Sequence, residues 1–175
     1  PDFASEFSFS ALSITGNVFL ASDMAPWFTY ITVKPHGPGH FLDGMTVTGN
    51  TFRAIGSINR VEAVDTSFAD LDYDRVRNIT FAENSFHNVD IHAQSPLVME
   101  HVEASAAATW VVTPAPRLPF GAWAQVVESV LPEGALRNGI GDAVHASPWF
   151  EGRQGPENDR INLHWPQAVS GKVIL

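Results

Sequence analysis

The chain has 175 residues, no cysteine and a formal net charge of −9, from 10 Lys and Arg against 19 Asp and Glu. The acidic excess argues against nucleic acid and anionic membranes as partners, and the lack of Cys excludes disulfides and Cys-based metal sites. No apolar run reaches the roughly 18 residues that a membrane span needs. The chain begins at Pro1 without Met and ends in the strand-like Val173-Ile174-Leu175, so we expect a fragment of a longer protein.

Three segments in the N-terminal half of the chain share one pattern. In each, two apolar residues alternate with polar ones, as in a half-buried strand. A Gly-Asn or Glu-Asn pair then bends the chain, because Gly and Asn tolerate a left-handed backbone at low cost. A Phe follows the bend and points back inside. The segments are residues 12–19, 45–52 and 79–86.

The spacing of these segments predicts stacked repeats of about 33 residues, since their Asn residues fall at positions 17, 50 and 84. One copy cannot bury its own apolar face, whereas copies stacked about 4.8 Å apart bury it as continuous columns. We therefore expect a ladder of side-chain amides and a stack of aromatic rings. Their members are Asn17, Asn50 and Asn84 for the ladder, and Phe19, Phe52 and Phe86 for the stack.

Further strand-like stretches at residues 27–33 and 60–64 lie between the repeats, and each would supply another wall of a coil. Together these features predict a right-handed parallel β-helix over residues 1–112, with coils of about 33 residues. The Pro-rich residues 113–121 predict an extended linker.

The remaining residues, 122–175, predict a small antiparallel β domain that caps the open end of the coils or mediates oligomerisation. Turns at Pro132-Glu133-Gly134 and at residues 152–158 separate its strands. For residues 122–130 a helix is the alternative, because that segment fits both periodicities. The strand candidates are residues 122–130, 142–146, 160–165 and 171–175.

The Ile-Thr-Gly-Asn-x-Phe style of the repeats resembles the pectate lyase superfamily and the β-helices of phage tailspikes. The resemblance covers residues 1–112, and the linker with its β-rich C-terminal part is similar to the distal end of tailspikes. It implies a homotrimer, extracellular or virion-associated, whose outer walls or grooves bind a host-surface polysaccharide and often cleave it. No catalytic motif of that family matches this sequence, so the resemblance assigns no catalytic residue.

Asp70, Asp72 and Asp74 are the candidate catalytic residues. In an extended chain they would lie on one face about 7 Å apart, a separation found in inverting glycosidases. The alternative is a solvated loop, because Asp favours turn positions. We expect no required cofactor, but a calcium site stays open. It would not be an EF-hand, since Arg75 and Phe81 stand where that loop needs Gly and Glu.

Two histidine pairs offer weaker chemistry. His36 and His40 flank a Gly- and Pro-rich turn, but zinc would need further ligands, so an exposed loop is the default interpretation. Glu100 and His101 would form an acid/base pair, but neighbouring residues of a strand point to opposite faces. We predict no metal site from these residues.

Trp27, Phe28 and Tyr30 are the candidate carbohydrate-binding residues, because an exposed aromatic face is a platform for a sugar ring. Alternation places Phe28 and Tyr30 on one face and Trp27 on the other, so one of these sets belongs to the core. A second aromatic group either builds a C-terminal core or binds sugar. It consists of Trp123, Trp149 and Trp165.

Three functional hypotheses follow. The preferred one is a tailspike-like host-surface recognition protein that binds a polysaccharide. It would have a groove with exposed aromatics and at least two acidic side chains on an outer wall. If it is an enzyme, it is a glycoside hydrolase or polysaccharide lyase. The second is a structural trimerisation module of a longer spike, without activity, which predicts outward-facing apolar side chains. The third is a secreted calcium-dependent polysaccharide lyase that uses Arg75 or Arg77 beside the Asp residues.

Overall fold

The computed structural model describes residues 7–175, and in this range the chain is all-β, as its composition and turns predict. The chain forms two compact units. Unit 1 comprises the residues up to Pro96 together with Pro116–Ala122, and unit 2 comprises Leu97–Ala115 and Trp123–Leu175. Within residues 7–175, no helix has the length and apolar character to cross a membrane.

Among the residues that the structure describes, the strands of unit 1 are short and pair with one another in parallel. They form the sheets β1–β5, β2–β6–β9, β3–β7–β10 and β4–β8. Two 3-10 turns, η1 (Tyr73–Arg75) and η2 (Pro119–Gly121), complete the unit. The strands are β1 (Ser8–Ser10), β2 (Ser13–Thr15), β3 (Val18–Ala21), β4 (Ile31–Val33), β5 (Phe41–Asp43), β6 (Thr46–Thr48), β7 (Thr51–Ile58), β8 (Glu62–Val64), β9 (Thr80–Ala82) and β10 (Ser85–Val89).

Equivalent positions of the three repeats lie opposite one another in these sheets. In β3–β7–β10, Phe19 pairs with Phe52, which pairs in turn with Phe86. The rings of Phe19 and Phe52 are stacked with centroids 5.0 Å apart, and those of Phe52 and Phe86 with centroids 5.8 Å apart. The residues of β2, β6 and β9 pair in the same way. The aromatic stack expected from the repeats is therefore confirmed.

The core of unit 1 is formed by the inward-facing residues of these strands. Val47, Phe52 and Phe81, from β6, β7 and β9, are fully buried. Each such side chain stabilises the fold by about 1.5–3 kcal/mol relative to an exposed one.

One carboxylate, Glu62 of β8, is fully buried in this unit. Arg60 forms an ion pair with it and donates a second hydrogen bond to the Leu118 carbonyl at 3.1 Å. The Phe120 N–H donates to Glu62 Oε1 at 3.3 Å, so these groups fasten the segment around η2 to β8. Burial raises the pKa of Glu62, and the opposing charge of Arg60 offsets only part of that effect.

The parallel β-helix predicted from the repeats is not formed. The strands of unit 1 belong to separate sheets of two or three short strands, and these sheets do not close into a solenoid. The repeated motif covers only a small part of each period, so it specifies two short strands and the bend between them. The rest of each period shares no pattern and contains loops such as residues 34–40 and 65–72, which carry Gly, Pro and Asp.

Unit 2 is antiparallel, as predicted for the C-terminal part, and is centred on its longest strand. The strand β16 pairs with β11, β12, β13 and β15, and β14 pairs with β13. Because β11 belongs to this sheet, unit 2 begins before the linker expected at residues 113–121. The strands are β11 (Glu100–Val112), β12 (Leu131–Pro132), β13 (Leu136–Arg137), β14 (Ala143–Val144), β15 (Trp149–Gln154) and β16 (Arg160–Ile174).

Two local predictions in unit 2 were wrong. Residues 122–130 form neither strand nor helix, because the N–H and C=O of Ala124 bond instead to Asn158 and Arg153. Residues 160–165 and 171–174 are parts of the single strand β16, which continues through irregular pairing with β11 and ends before Leu175.

The core of unit 2 is built around two indole rings. Trp110 is fully buried, and its Nε1 donates to the carbonyls of Ala107 and Val169 at 3.1 and 3.0 Å. Its ring centroid lies 4.9 Å from that of Trp165, which is 5% exposed. Of the two roles considered for Trp165, the structure therefore gives it the core role.

Candidate functional site

The three candidate catalytic residues lie in a loop that ends in η1. Asp70 and Asp74 are exposed, and Asp72 precedes the turn and donates its backbone N–H to the His40 carbonyl at 2.7 Å. The chain here is not extended, so the strand geometry assumed for a carboxylate pair does not occur. The catalytic role of these residues stays a prediction.

The two cations beside this loop have other partners. The guanidinium of Arg75 lies 3.8 Å from the ring centroid of Phe41. Arg77 pairs with Asp43 at 3.1 Å, and a hydrogen bond from Asn78, with the one from Arg77, lowers the pKa of Asp43. Across residues 7–175, no group of three His, Asp or Glu side chains is arranged to hold a metal ion.

In each of the two candidate pairs that contain histidine, the two side chains contact different groups. His40 is buried and its Nδ1 lies 2.7 Å from the Gly37 carbonyl, so the expected exposed loop is wrong at this position. His36 is exposed and stacks on Phe68. In unit 2, Glu100 pairs with Lys172 at 2.9 Å, whereas the ring of His101 lies against Trp110, as expected for opposite faces of a strand.

The three candidate carbohydrate-binding residues divide between core and surface. Phe28 and Tyr30 pack on the core with their ring centroids 5.0 Å apart, and the Tyr30 hydroxyl donates to the Arg53 carbonyl at 2.6 Å. Tyr30 also contacts Phe52 of the aromatic stack. Trp27 is 84% exposed. Its backbone is thus fixed by two anchored neighbours, while its indole ring faces solvent.

The outward-facing positions of β3 and β7 carry apolar side chains. Val18, Leu20 and Ile55 are 77%, 63% and 60% exposed. They share this face with Thr51 and Arg53, which pair with Val18 and Leu20. Exposed apolar side chains grouped on one face of a sheet are typical of a contact with another molecule.

The three Asn residues at the bends form a hydrogen-bonded ladder, as expected from the repeats. The Oδ1 of Asn50 accepts from the backbone N–H and the Nδ2 of Asn17, at 2.9 and 3.1 Å. The Oδ1 of Asn84 accepts in the same way from Asn50, at 2.9 and 3.0 Å. Asn50 and Asn84 therefore each accept from the backbone N–H and the Nδ2 of the preceding Asn.

Residues 92–95 cover the last repeat. The ring of His92 stacks on Phe86, with centroids 4.7 Å apart and an interplanar angle of 13°. Ser95 exchanges two backbone hydrogen bonds with Phe81 of β9, at 2.8 and 3.0 Å. This segment therefore continues the aromatic stack and pairs the outer edge of β9.

A pocket with a volume of about 260 Å³ lies beneath this segment, next to Asn84. Gln94 and Arg117 are two of its lining residues, and the Arg117 guanidinium donates to Gln94 Oε1 at 3.3 Å. The Gln94 N–H donates to the Arg117 carbonyl, which holds the two residues together. The lining residues are Phe81, Ala82, Glu83, Asn84, Phe86, His92, Ala93, Gln94 and Arg117.

Unit 2 carries a separate polar arrangement around His164 of β16. Its Nδ1 lies 3.2 Å from Thr109 Oγ1 and its Nε2 lies 3.1 Å from Glu151 Oε2. The ring of Trp149 stacks on the imidazole at 4.0 Å and is itself 58% exposed. Trp149 thus presents a fixed aromatic face on this surface.

Sequence reasoning found Asn84 but missed His92, Gln94 and Arg117. One signal was available, since Arg117 follows Asn84 by one repeat period. The contact between Thr109 and His164 was also missed, because it depends on the register of β11 and β16, which no local pattern specifies.

No protein family, curated protein or solved structure matches this chain. The resemblance to the pectate lyase superfamily and to phage tailspikes is therefore wrong, as the separate sheets of unit 1 also indicate. The short motif that suggested it fits the stacked strands and the bonded Asn residues of unit 1. It specifies local stacking and does not specify a family.

Proposed function

We propose that unit 1 binds a neutral polysaccharide and that Trp27 forms the centre of the contact surface. The observation that carries this proposal is the 84% exposure of the Trp27 indole between neighbours that are anchored in the core. An exposed Trp is costly to hydrate and offers an apolar face to the C–H groups of a sugar ring. Because Phe28 and Tyr30 fix the backbone, little ordering entropy is lost when a sugar stacks on this ring.

The charge of the chain supports a neutral sugar. A net charge of −9 repels an anionic chain unless a basic patch or a bridging cation compensates. The guanidiniums of Arg75 and Arg77 are engaged with Phe41 and Asp43. A surface polysaccharide as partner would place the protein outside cells or on a virion.

Isothermal titration calorimetry with a panel of neutral and acidic polysaccharides tests this proposal. Trp27→Ala should lose binding by tenfold or more, about 1.4 kcal/mol, because the stacking surface is removed. The matched control is Trp149→Ala, since Trp149 is also exposed but belongs to unit 2. Equal affinities for wild type and Trp27→Ala would contradict the proposal.

Cleavage of the bound polysaccharide is a separate question, which an assay for new reducing ends addresses. If Asp70, Asp72 and Asp74 act in cleavage, their Asn variants should lose chain shortening and retain binding. The calcium-dependent lyase predicts that a chelator abolishes the same signal.

A second candidate function is self-association of copies of this chain, with the homotrimer as the expected assembly. The exposed apolar residues Val18, Leu20 and Ile55 favour it, because the structural-module hypothesis predicts apolar side chains at such positions. Light scattering over a concentration series tests it. The double variant Val18→Ser and Leu20→Ser should lower the mass to that of a monomer, whereas the control Ile140→Ser, 85% exposed in unit 2, should leave it unchanged.

A further inference from the structure

The backbone N–H of Asn84, the last member of the amide ladder, differs from the backbone N–H groups of Asn17 and Asn50, whereas its Nδ2 is used as that of Asn50 is. The N–H and Nδ2 of Asn17 and of Asn50 each converge on one carboxamide oxygen of the next Asn. The Nδ2 of Asn84 donates to the Val47 carbonyl at 2.9 Å, which holds the side chain in the ladder orientation. No acceptor from the described residues lies at the backbone N–H of Asn84.

Residues 92–95 extend the aromatic stack and pair with the edge of β9, but they do not extend the amide ladder. His92 adds a ring to the aromatic stack, and Ser95 pairs with the edge of β9. One repeat period beyond Asn84, the chain carries Arg117 in the wall of the pocket in place of a further Asn. The pocket therefore presents a donor arrangement that, twice in this fold, receives a carboxamide oxygen.

The walls of the pocket indicate what group fits there. The lining residues include the apolar Phe81, Phe86 and Ala93, together with Asn84 and Arg117, which carry N–H donors. Glu83 adds a carboxylate, which together with the net charge of −9 disfavours an anionic guest. About 260 Å³ corresponds to roughly nine water molecules, enough for one substituent of a sugar and too little for an oligosaccharide.

We propose that this pocket binds the acetamido group of an N-acetylated sugar, an inference that rests on the proposed binding of a neutral polysaccharide. The acetamido oxygen accepts from the Asn84 N–H, as Asn84 Oδ1 accepts from Asn50. The methyl group contacts the apolar wall, and the sugar ring remains outside the pocket. The N-acetyl group is a neutral carboxamide, so it reproduces the ladder's own acceptor without adding charge.

A two-dimensional ¹H–¹⁵N NMR titration with N-acetylglucosamine, glucose and acetate tests this site. N-acetylglucosamine should move the Asn84 amide proton downfield and saturate in the millimolar range, as befits a small ligand with few contacts. The amides of Asn17 and Asn50 already have acceptors and serve as internal controls. Glucose lacks the acetamido group and should leave the Asn84 signal unchanged.

A pocket-filling variant provides a second readout. Ala93 is buried and lines the pocket, so Ala93→Leu should occupy the space and abolish the response of Asn84 to N-acetylglucosamine. A response that persists in this variant overturns the pocket assignment. The wild-type titration decides the question by itself if the variant does not fold.

The outcomes separate this site from the proposed function. If Trp27 responds to neutral sugars while Asn84 does not respond to N-acetylglucosamine, the pocket assignment fails and polysaccharide binding stands. If acetate moves Asn84 more than N-acetylglucosamine does, the pocket is a carboxylate site and the acetamido assignment is overturned. If Asn84 responds and Trp27→Ala leaves polysaccharide affinity unchanged, the pocket stands and the Trp27 surface fails.

Discussion

The side chain of Asn50 bonds to both of its ladder neighbours at once: its Oδ1 accepts from Asn17 and its Nδ2 donates to Asn84 Oδ1. The same Nδ2 lies within hydrogen-bond distance of the Ile14 and Thr48 carbonyls, at 2.9 and 3.1 Å. Asn50 is 1% exposed, so its own side-chain amide has no water as an alternative partner. The central amide is therefore the position at which the ladder is most sensitive to change.

The first prediction concerns this residue. Asn50→Ala should lower the free energy of unfolding by about 2–4 kcal/mol, because buried carbonyls and the Asn17 donors lose their partners. Asn17→Ala is the control, since Asn17 is exposed and water replaces its bonds; about 1 kcal/mol is expected. Urea unfolding of both variants measures the difference. Equal losses would show that the ladder does not depend on burial.

The second prediction concerns the aromatic stack. Phe52 is fully buried between Phe19 and Phe86, so Phe52→Ala should cost about 3–5 kcal/mol, from lost burial and the cavity left behind. Phe68 is 66% exposed, and Phe68→Ala should cost less than about 1 kcal/mol. Thermal unfolding followed by circular dichroism compares the two. A similar shift in both variants would argue against a stacked core.

The third prediction concerns pH. Burial raises the pKa of Glu62 in the folded protein above its value of about 4.3 in the unfolded chain. The stability that comes from protonating Glu62 is therefore fully present below pH of about 4.3. That stability is lost as the pH rises through the raised pKa. Glu62→Gln keeps an acceptor for Arg60 and Phe120 but cannot ionise. We therefore expect that the free energy of unfolding of the variant does not fall as the pH rises through this range. At pH 7 the variant should be at least as stable as wild type.

Measuring the free energy of unfolding between pH 4 and pH 8 checks this expectation. Asp43 and Asp65 do not interfere, because their pKa values are lowered by partners such as Asn78 and Lys34. Their stabilisation is present above the unfolded value of about 3.9 and is lost only as the pH falls further. A wild-type profile that is flat or rises over this window would contradict the assignment to Glu62.

The fourth prediction concerns a close backbone approach in unit 2. A Cβ at Gly152 would lie 2.5 Å from the Gln125 carbonyl oxygen and 2.9 Å from that of Ala124. Because both are backbone atoms, Gly152→Ala should destabilise unit 2 by about 1–3 kcal/mol. Gly139 has open space around it, so Gly139→Ala is the matched control and should change stability little. Urea unfolding followed by Trp fluorescence measures the stability of both variants. An equal loss of stability in Gly152→Ala and Gly139→Ala would contradict the argument.

The parts of the fold that the sequence predicted are those encoded locally and repeated. The amide ladder and the Phe stack follow from eight-residue segments at a fixed spacing, because stacking identical segments brings identical side chains together. The closed coil did not follow, since the stretches between these segments share no pattern. The continuity of β16 was missed because irregular pairing near Gly171 allows one strand where the sequence suggested two.

The candidate site was less predictable for a physical reason. The pocket unites Asn84, Gln94 and Arg117, which come from a bend, a covering segment and the start of a distant turn. The donor in this pocket is the backbone N–H of Asn84, which follows the ladder pattern but has no further Asn after it. A single sequence shows the repeats, but it does not show where the chain runs after the last of them. The exposure of Trp27 was one of two readings that alternation allowed, and packing of Phe28 and Tyr30 selected it.

The amide ladder also restricts how the strands of unit 1 can align. A parallel pair that slips by two residues keeps its apolar side chains on the buried face, so hydrophobic burial alone discriminates weakly against that error. Each Asn oxygen, however, reaches its two donors only when the bends coincide. A slipped chain would leave the carbonyl of Ile14 and the side chain of Asn50 buried without partners. The ladder therefore destabilises misaligned strand pairs that hydrophobic burial alone would allow.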